Sequence, residues 1–284
     1  MKRAALLACL LAGLAPLLAS TAHAEEDWEG GRLLARTAQV LRARLPSLRE
    51  RIDELEQELR PEAARCASEA EERRVVFRVL EALPTSHLVL VSGFGYRTAN
   101  ADLRGRDHVT VGLWLVELDG RYCADHVLYE GPAWQAGIRR GDEVVAIDRV
   151  AVADSPRLDF RVDDAYLPDP PTHFVRCEKN VAVTFSVRTA RDQEEPTEIA
   201  VVPSYTSTVE TDRAAVRVLM HEGVAVGYVP IGLMTYNRAG AHLRDALEGP
   251  LADCESVIVD IRGRGGSPVE VWACLAHLKR ARAR

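Results

Sequence analysis

The stretch GPAWQAGIRRGDEVVAI, residues 131–147, carries the most specific pattern in the chain. The small residues Ala133 and Ala136 allow a short helix to pack closely, and the glycine that follows is suited to end that helix. Gly141 and Asp142 predict a turn, and the apolar run after them predicts a strand. The stretch therefore predicts a helix–turn–strand unit within a β-rich region.

A second pattern lies upstream, in the sequence VGLWL at 111–115. Taken alone, this pattern is typical of a buried strand with a glycine bulge. A glycine also lets backbone N–H groups converge on a terminal carboxylate, and the next strand can then pair with an extended peptide. The position of VGLWL ahead of the 131–147 unit favours the peptide-binding interpretation.

The two stretches together resemble PDZ domains, in the form found in bacterial secreted proteases. The resemblance implies a PDZ-like β-barrel or sandwich at 105–204 that binds the carboxyl termini of proteins or peptides. It assigns peptide binding to five residues, Val111, Gly112, Leu113, Trp114 and Leu115. Leu113 and Leu115 would line the pocket for the last apolar side chain of the peptide. Trp114 departs from the family pattern, in which a smaller residue is usual.

The sequence around these stretches consists of apolar runs with the period of a β-strand or with continuous β-rich character. The runs are HLVLVSGF, HVTVGLWLVEL, DEVVAIDRVAV, NVAVTFSVRT and TEIAVVP. We interpret the segment 154–179, which contains the acidic and proline-rich sequence DDAYLPDPP, as a loop inserted in the β-domain. The segment 84–104 is interpreted as a strand that links this domain to the preceding region.

The N-terminal region, 25–83, is predicted to be helical. Its leucines and Ile52 recur at intervals of seven, three and four from Leu34 to Leu59, which places them on one helical stripe. Pro46 is predicted to start a second helix and Pro61 a third. A coiled-coil seam is the alternative, but the prolines favour a small helical hairpin.

The C-terminal segment, 205–284, has the alternation of a βαβ unit. A strand (VAVGYVPI) precedes a helix at 238–247, and a second strand (SVIVDI) leads through a glycine-rich turn into a helix from Pro268. Asn237 and Ser267 are suited to cap the two helices, and the connection is expected to be right-handed. A sheet of two parallel strands leaves one face and both edges exposed. We expect the N-terminal helices or a partner chain to cover them, or else the chain is a shortened form of a full peptidase.

The sequences GYVPIGLMTYNRAGAHLRDAL and SVIVDIRGRGGSP resemble the start of the catalytic core of carboxyl-terminal processing peptidases, the tail-specific and tricorn group of serine peptidases. The resemblance implies that Gly265 and Gly266 donate backbone N–H groups to an oxyanion. Arg264 and Ser267 depart from the family motif, which has asparagine and glycine there. A phosphate site is disfavoured because the turn lacks a P-loop lysine and a complete G-x-G-x-x-G.

The sequence Pro84-Thr85-Ser86-His87 resembles the Ser-His pair that tricorn-like members place before their PDZ domain. The resemblance implies that His87 is the general base, although a lone histidine is more often structural. No residue here matches the family's nucleophilic serine or its basic partner, so we expect the nucleophile to be absent and the core incomplete. Ser267 is interpreted as a helix cap, not a nucleophile.

The first 24 residues are typical of a secretory signal peptide. Lys2 and Arg3 precede an apolar run at 4–18, and Ala22-His23-Ala24 suits cleavage after Ala24. The run is too short, and too interrupted by glycine and proline, to span a membrane comfortably. We therefore expect an exported protein, periplasmic or extracellular, without an integral membrane span.

Composition argues against several partner and cofactor classes. The formal charge is −6 with no basic patch, which disfavours nucleic acid and anionic membrane. The cysteines beyond the leader are Cys66, Cys123, Cys177, Cys254 and Cys274; their odd number allows one or two disulfides and leaves a free thiol. Cys123 and His126 are the nearest approach to a metal pair, and without a second close pair we expect no metal and no cofactor.

The sequence thus predicts an α+β multidomain protein. Its parts are a signal peptide (1–24), a helical region (25–83), a linking segment with the Thr-Ser-His motif (84–104), a PDZ domain (105–204) and the first part of a peptidase-like α/β core (205–284). The resemblance implies a serine endopeptidase family whose members bind protein carboxyl termini for proteolysis. The alternative is a non-catalytic PDZ adaptor. Because the nucleophilic serine is expected to be absent, a fluorophosphonate reagent should leave this chain unlabelled.

Overall fold

The structure is a computed structural model that describes residues 7–10, 28–85, 88–159, 161–162, 172–189, 195–232, 238–261 and 268–281. The chain divides into two compact units. The first contains Met1–Tyr96 and Asp159–Thr172, and the second contains Arg97–Leu158 and His173–Arg284. The fold is mixed α/β with several sheets.

The described residues form eight α-helices and sixteen strands. The helices are α1 (Arg32–Arg44), α2 (Arg49–Ala63), α3 (Glu69–Glu81), α4 (Gly93–Leu103), α5 (Pro132–Gln135), α6 (Thr208–Ala214), α7 (Ala239–Glu248) and α8 (Pro268–Ala281). The strands are β1 (Leu7–Leu10), β2 (Leu88–Val91), β3 (His108–Thr110), β4 (Leu113–Leu118), β5 (Arg121–Val127), β6 (Glu143–Ile147), β7 (Val150–Ala151), β8 (Leu158–Asp159), β9 (Arg161–Val162), β10 (Thr172–Val175), β11 (Val183–Arg188), β12 (Thr197–Val201), β13 (Ser204–Thr206), β14 (Arg217–His221), β15 (Val224–Pro230) and β16 (Ser256–Asp260).

Three helices of the first unit share one apolar core. Leu34 and Leu41 of α1 are buried, as expected from their helical spacing, and they belong to the same cluster as Ile52 of α2 and Val76 of α3. Pro46 begins a short 3₁₀ helix that leads into α2, close to the predicted helix start. Strand β2 pairs antiparallel with β1 and β9. Strand β1 lies within the predicted signal peptide, whose cleavage stays a prediction.

A buried glutamate from α3 caps the N-terminus of α1. The cap residue of α1 is Gly31, which has no side chain to accept a hydrogen bond. The Leu34 N–H instead donates to Glu72 Oε1 at 2.8 Å. Glu72 is fully buried, and burial, as the largest cause, raises the pKa of its carboxyl group, while the hydrogen bond from Leu34 acts in the opposite direction.

The prediction that Pro61 starts the third helix is wrong. Pro61 lies inside the last turn of α2, and α3 begins eight residues later in the chain at Glu69. Ser68 is the cap of α3, since its Oγ accepts the Glu71 N–H at 3.2 Å, while Glu71 Oε2 accepts the Ala67 N–H at 2.7 Å. This reciprocal pair is close to a capping box, a start signal that the prolines obscured.

The second unit contains the large sheet, whose strand order is β12-β11-β6-β5-β4-β10-β8, with β7 paired to β6. Its core includes Leu113, Leu115, Ile147 and Phe185, all of them fully buried. The described end strands β12 and β8 are not neighbours, so these strands form no closed barrel. Strands β6, β11 and β12 lie where the period-two pattern predicted strands.

Two segments differ from the sequence-based expectation. Helix α4 occupies much of the segment predicted as a linking strand, and Ser92 Oγ at its start accepts the Gly95 N–H at 2.9 Å. The predicted loop 154–179 contains strands β8 and β10, which join the large sheet. Residues 163–171 of that loop lie outside the described residues.

The C-terminal part of the second unit contains the predicted βαβ unit and an additional strand. Strands β15 and β16 are parallel and α7 connects them, while β14 pairs antiparallel with β15. Helix α8 packs against α7, where a Cβ on Gly240 would lie 2.7 Å from the Ala273 Cβ. Several large apolar side chains of this part are exposed, among them Val218, Leu219, Met220, Ile258, Trp272 and Leu275.

Candidate functional site

The predicted peptide-binding stretch forms the turn between β3 and β4. Gly112 has a φ of +71°, which is the left-handed region that favours glycine. A Cβ at this position would lie 3.2 Å from the Pro132 Cδ and 3.5 Å from the Leu128 Cβ. Both the backbone conformation and the close packing against the start of α5 therefore favour glycine here.

Hydrogen bonds hold this glycine turn against α5 and the segment before it. The Ala133 N–H donates to the Val111 carbonyl at 2.9 Å, and the Leu128 N–H donates to the Gly112 carbonyl at 2.9 Å. The Gly112 N–H donates to Thr110 Oγ1, also at 2.9 Å. The amide that was expected to meet a carboxylate is thus paired within the turn.

Strand β4 is an inner strand of the sheet, which corrects the expectation of an open peptide-pairing edge. It pairs with β5 on one side and with β10 on the other. Val111, Leu113, Trp114 and Leu115 are each no more than 3% exposed. The Trp114 ring lies in an edge-on arrangement 6.3 Å from the Phe174 ring of β10. In this structure β10 occupies the edge at which a peptide was predicted to add.

The predicted catalytic residues lie outside the described residues. These are His87, Gly265 and Gly266; Ser267, the predicted helix cap, lies outside the described residues as well. The nearest described elements on either side of residues 262–267 are strand β16, which ends at Asp260, and helix α8, which begins at Pro268. The Tyr228 hydroxyl donates to Asp260 Oδ2 at 2.8 Å across the parallel strand pair.

A buried polar cluster that the sequence did not indicate links α4 to α6. Thr208 Oγ1 donates to Asp102 Oδ1, and His108 Nδ1 lies 3.9 Å from the same oxygen. Asp102 and Thr208 are both buried. The two residues are far apart in sequence, so no local motif could have found the pair. Because the threonine hydroxyl donates to the carboxylate and not to the histidine, the cluster lacks the hydrogen-bond order of a nucleophile and base.

A polar cavity of about 310 Å³ lies beside the start of α5. Its lining includes the carboxylates of Asp107, Glu130 and Glu210 and the hydroxyls of Tyr205 and Ser207. Within the described residues, no group of three or more histidine, cysteine or acidic residues has the arrangement of a metal site. The three acids come from separate parts of the chain, which is why sequence spacing gave no signal for this cavity.

The described cysteines are all free thiols, so none of the allowed disulfides is present among them. Cys177 lies two residues after β10, with its Sγ 3.8 Å from the Val109 carbonyl. Burial raises the pKa of the Cys177 thiol to about 11, an effect that the Val111 backbone amide opposes. Cys177 thus lies beside the glycine turn.

We expect Cys177 to resist alkylation in the folded protein. At pH 8, a thiol with a pKa of about 11 is only about one part in a thousand thiolate, and the thiolate is the reactive form. Iodoacetamide treatment followed by mass spectrometry measures this. The same cysteine in the urea-unfolded chain is the control, and equal rates in the two states would contradict the burial of this thiol.

No helix in the described part of the chain is both long and apolar enough to cross a lipid bilayer.

Comparisons with known proteins find similarity to solved structures. No protein-family model and no curated protein matches the chain. The photosystem II D1 C-terminal processing protease is similar with a TM-score of 0.44 and 14% identity, over 78% of this chain and 57% of that protein. A putative S41 protease from Bacteroides fragilis NCTC 9343 is similar with a TM-score of 0.37 and 15% identity, over 58% of this chain and 41% of that protein. The chain thus spans little more than half the length of the first structure.

Proposed function

We propose that this chain recognises the carboxyl-terminal segments of polypeptides as part of a peptidase of the carboxyl-terminal processing type. In this proposal β4 is the recognition strand, and β10 occupies its edge until a peptide replaces it. The proposal includes export through the predicted leader. It also includes His87 as general base and Gly265 and Gly266 as oxyanion donors.

The observation that carries this proposal is the pairing of β10 with β4. An extended segment of the chain already adds to β4 on the side away from β5, in the manner of a peptide that binds by β-augmentation. The glycine turn beside β4 is held by α5 through the Val111 carbonyl, so the turn that leads into the recognition strand is fixed. Strand β10 is only four residues long, which makes its replacement by a peptide strand of similar length feasible.

Peptide exchange requires β10 to leave, so the free peptide would bind weakly to the resting protein. The apparent dissociation constant equals the intrinsic one divided by the fraction of molecules in which β10 has left β4. Phe174 is buried and its ring contacts Trp114, so removing this ring is expected to loosen β10. The same loosening should expose Cys177, which follows β10 closely.

The test compares short labelled peptides that end in an apolar residue with a free carboxylate against the same peptides ending in an amide. We expect the full chain to bind the carboxylate form more tightly, and Phe174→Ser to strengthen this binding about tenfold or more. Saturating carboxylate peptide should also raise the rate of Cys177 alkylation. Val150→Ser, at an exposed position of β7 in the same sheet, is the matched control and should behave as the unmodified protein.

Two results would end the proposal. One is equal affinity of the carboxylate and amide peptides for both the unmodified protein and Phe174→Ser. The other is peptide binding that leaves Cys177 as protected as before, because the peptide would then lie elsewhere. Hydrogen exchange across β4 and β10 checks that the variants are folded.

A further inference from the structure

The polar cavity beside α5 is lined by acidic and neutral residues. Asp107, Glu130 and Glu210 line it, and no lysine, arginine or histidine does. None of these three carboxylates forms an ion pair with another residue in the described part of the chain. Elsewhere in the same unit, Asp125 is paired with Arg140 at 3.0 Å. A cation in the cavity would therefore meet three carboxylates that have no other partner.

A buried serine whose side chain makes no hydrogen bond within the described residues also lines this cavity. Ser207 is only 3% exposed and lines the cavity. It occupies the cap position of α6, yet its side chain makes no capping hydrogen bond, and its hydroxyl has no other hydrogen bond within the described residues. Buried polar groups in proteins are nearly always paired. The hydroxyl of Ser207 is thus available to accept an N–H from a ligand.

The size of the cavity and its hydrogen-bond acceptors determine which kind of cation it can bind. Its volume of about 310 Å³ lies at the lower end of the range for organic ligands. The acids and hydroxyls are hydrogen-bond acceptors that suit a cation with several N–H groups, and the described residues show no cluster arranged for a metal ion. Lys179 Nζ lies 4.6 Å from the centre of the Tyr205 ring, so this ring already has a cation partner, and the proposed ligand would be held by the acids and hydroxyls.

We propose that this cavity binds an organic cation of the guanidinium or primary-amine type. Two sources carry this chemistry: a basic side chain of a polypeptide and a free small amine. The carboxylates of Glu130 and Glu210 would pair with the cation, and Ser207 would accept one of its N–H groups. The residues that line this cavity include none from β4 or β10, and the proposal does not depend on peptide binding there.

The test measures binding to the full chain by calorimetry at low ionic strength. The probes are agmatine, a short peptide with one arginine, the same peptide with citrulline in its place, and Mg²⁺ alone. We expect agmatine and the arginine peptide to bind, the citrulline peptide not to bind, and the affinity to fall as salt is added. A tighter arginine peptide identifies a polypeptide as the source, and tighter agmatine identifies a small amine.

Variants locate the site. We expect Glu130→Gln and Glu210→Gln each to weaken cation binding roughly fivefold, and Ser207→Ala to weaken it less. Glu255→Gln, an exposed acid outside the cavity, is the matched control and should leave binding unchanged. The proposal is overturned if citrulline binds as well as arginine, if Mg²⁺ alone binds, if no cation binds, or if the Glu130→Gln/Glu210→Gln double variant binds as the unmodified protein does. Phe174→Ser should not alter this binding, which separates the outcome from that at β4.

Discussion

Phe185→Ala is expected to lower the free energy of unfolding of the large sheet by about 3–5 kcal/mol. Phe185 is fully buried in β11, where it faces Ile147 of β6 and Ile199 of β12 in register. Truncation removes the ring and leaves a cavity between three strands, and close-packed neighbours relax only partly into such a space. The loss should therefore be far larger than that of an exposed residue.

Hydrogen exchange of peptides covering β6, β11 and β12 measures this effect within the sheet itself. Val181→Ala is the control, because Val181 lies just ahead of β11 and is 44% exposed. We expect this variant to change exchange only slightly. A loss below about 1 kcal/mol for Phe185→Ala would mean that the ring is not in a packed core.

Glu72→Ala is expected to destabilise the helical unit by about 1–3 kcal/mol, because the buried N–H of Leu34 would lose its acceptor. Glu72→Gln should cost less at neutral pH. A glutamine oxygen can accept the same hydrogen bond without placing a charge in the core. Thermal unfolding followed by circular dichroism compares the variants, and equal losses for alanine and glutamine would contradict the role of Glu72 as a cap.

The pH dependence of stability distinguishes the unmodified protein from Glu72→Gln. Because burial raises the pKa of Glu72, the folded state holds the proton more tightly than the unfolded state does. Stability contributed by the protonated form is then lost as pH rises from the ordinary glutamate pKa through the raised one. We expect the unmodified protein to lose stability relative to Glu72→Gln over that interval. A constant difference across the interval would contradict the raised pKa.

Local sequence signals predicted the elements whose burial follows from their own periodicity. The leucines of α1 and α2 and the alternating residues of β11 belong to this group. Pro61 led to a wrong predicted start for the third helix. It lies near the end of α2 and leaves the rest of that helix intact, and the actual start signal of α3 is Ser68. Helix α4 was missed because Gly93 and Gly95 weaken its propensity and a serine cap compensates.

The candidate site contains both features that local sequence signals predicted and features that they did not. The glycine turn at Gly112 was predicted, since its conformation is a local requirement. The occupation of β4 by β10 was not, because competition for a strand edge depends on a segment more than fifty residues away in the printed sequence. The acidic cavity was missed for the same reason: Glu130 and Glu210 come together only through the tertiary fold.

The position of β10 also affects how the sheet ends. With β10 in place, the outermost strand on that side is β8, which has only two residues. So short a strand offers few unpaired backbone groups to another molecule, and short outer strands are one way in which proteins avoid uncontrolled self-association. If β10 left without a replacement, β4, which has six residues, would become the edge strand of the sheet. The protein would then be prone to self-association through this edge.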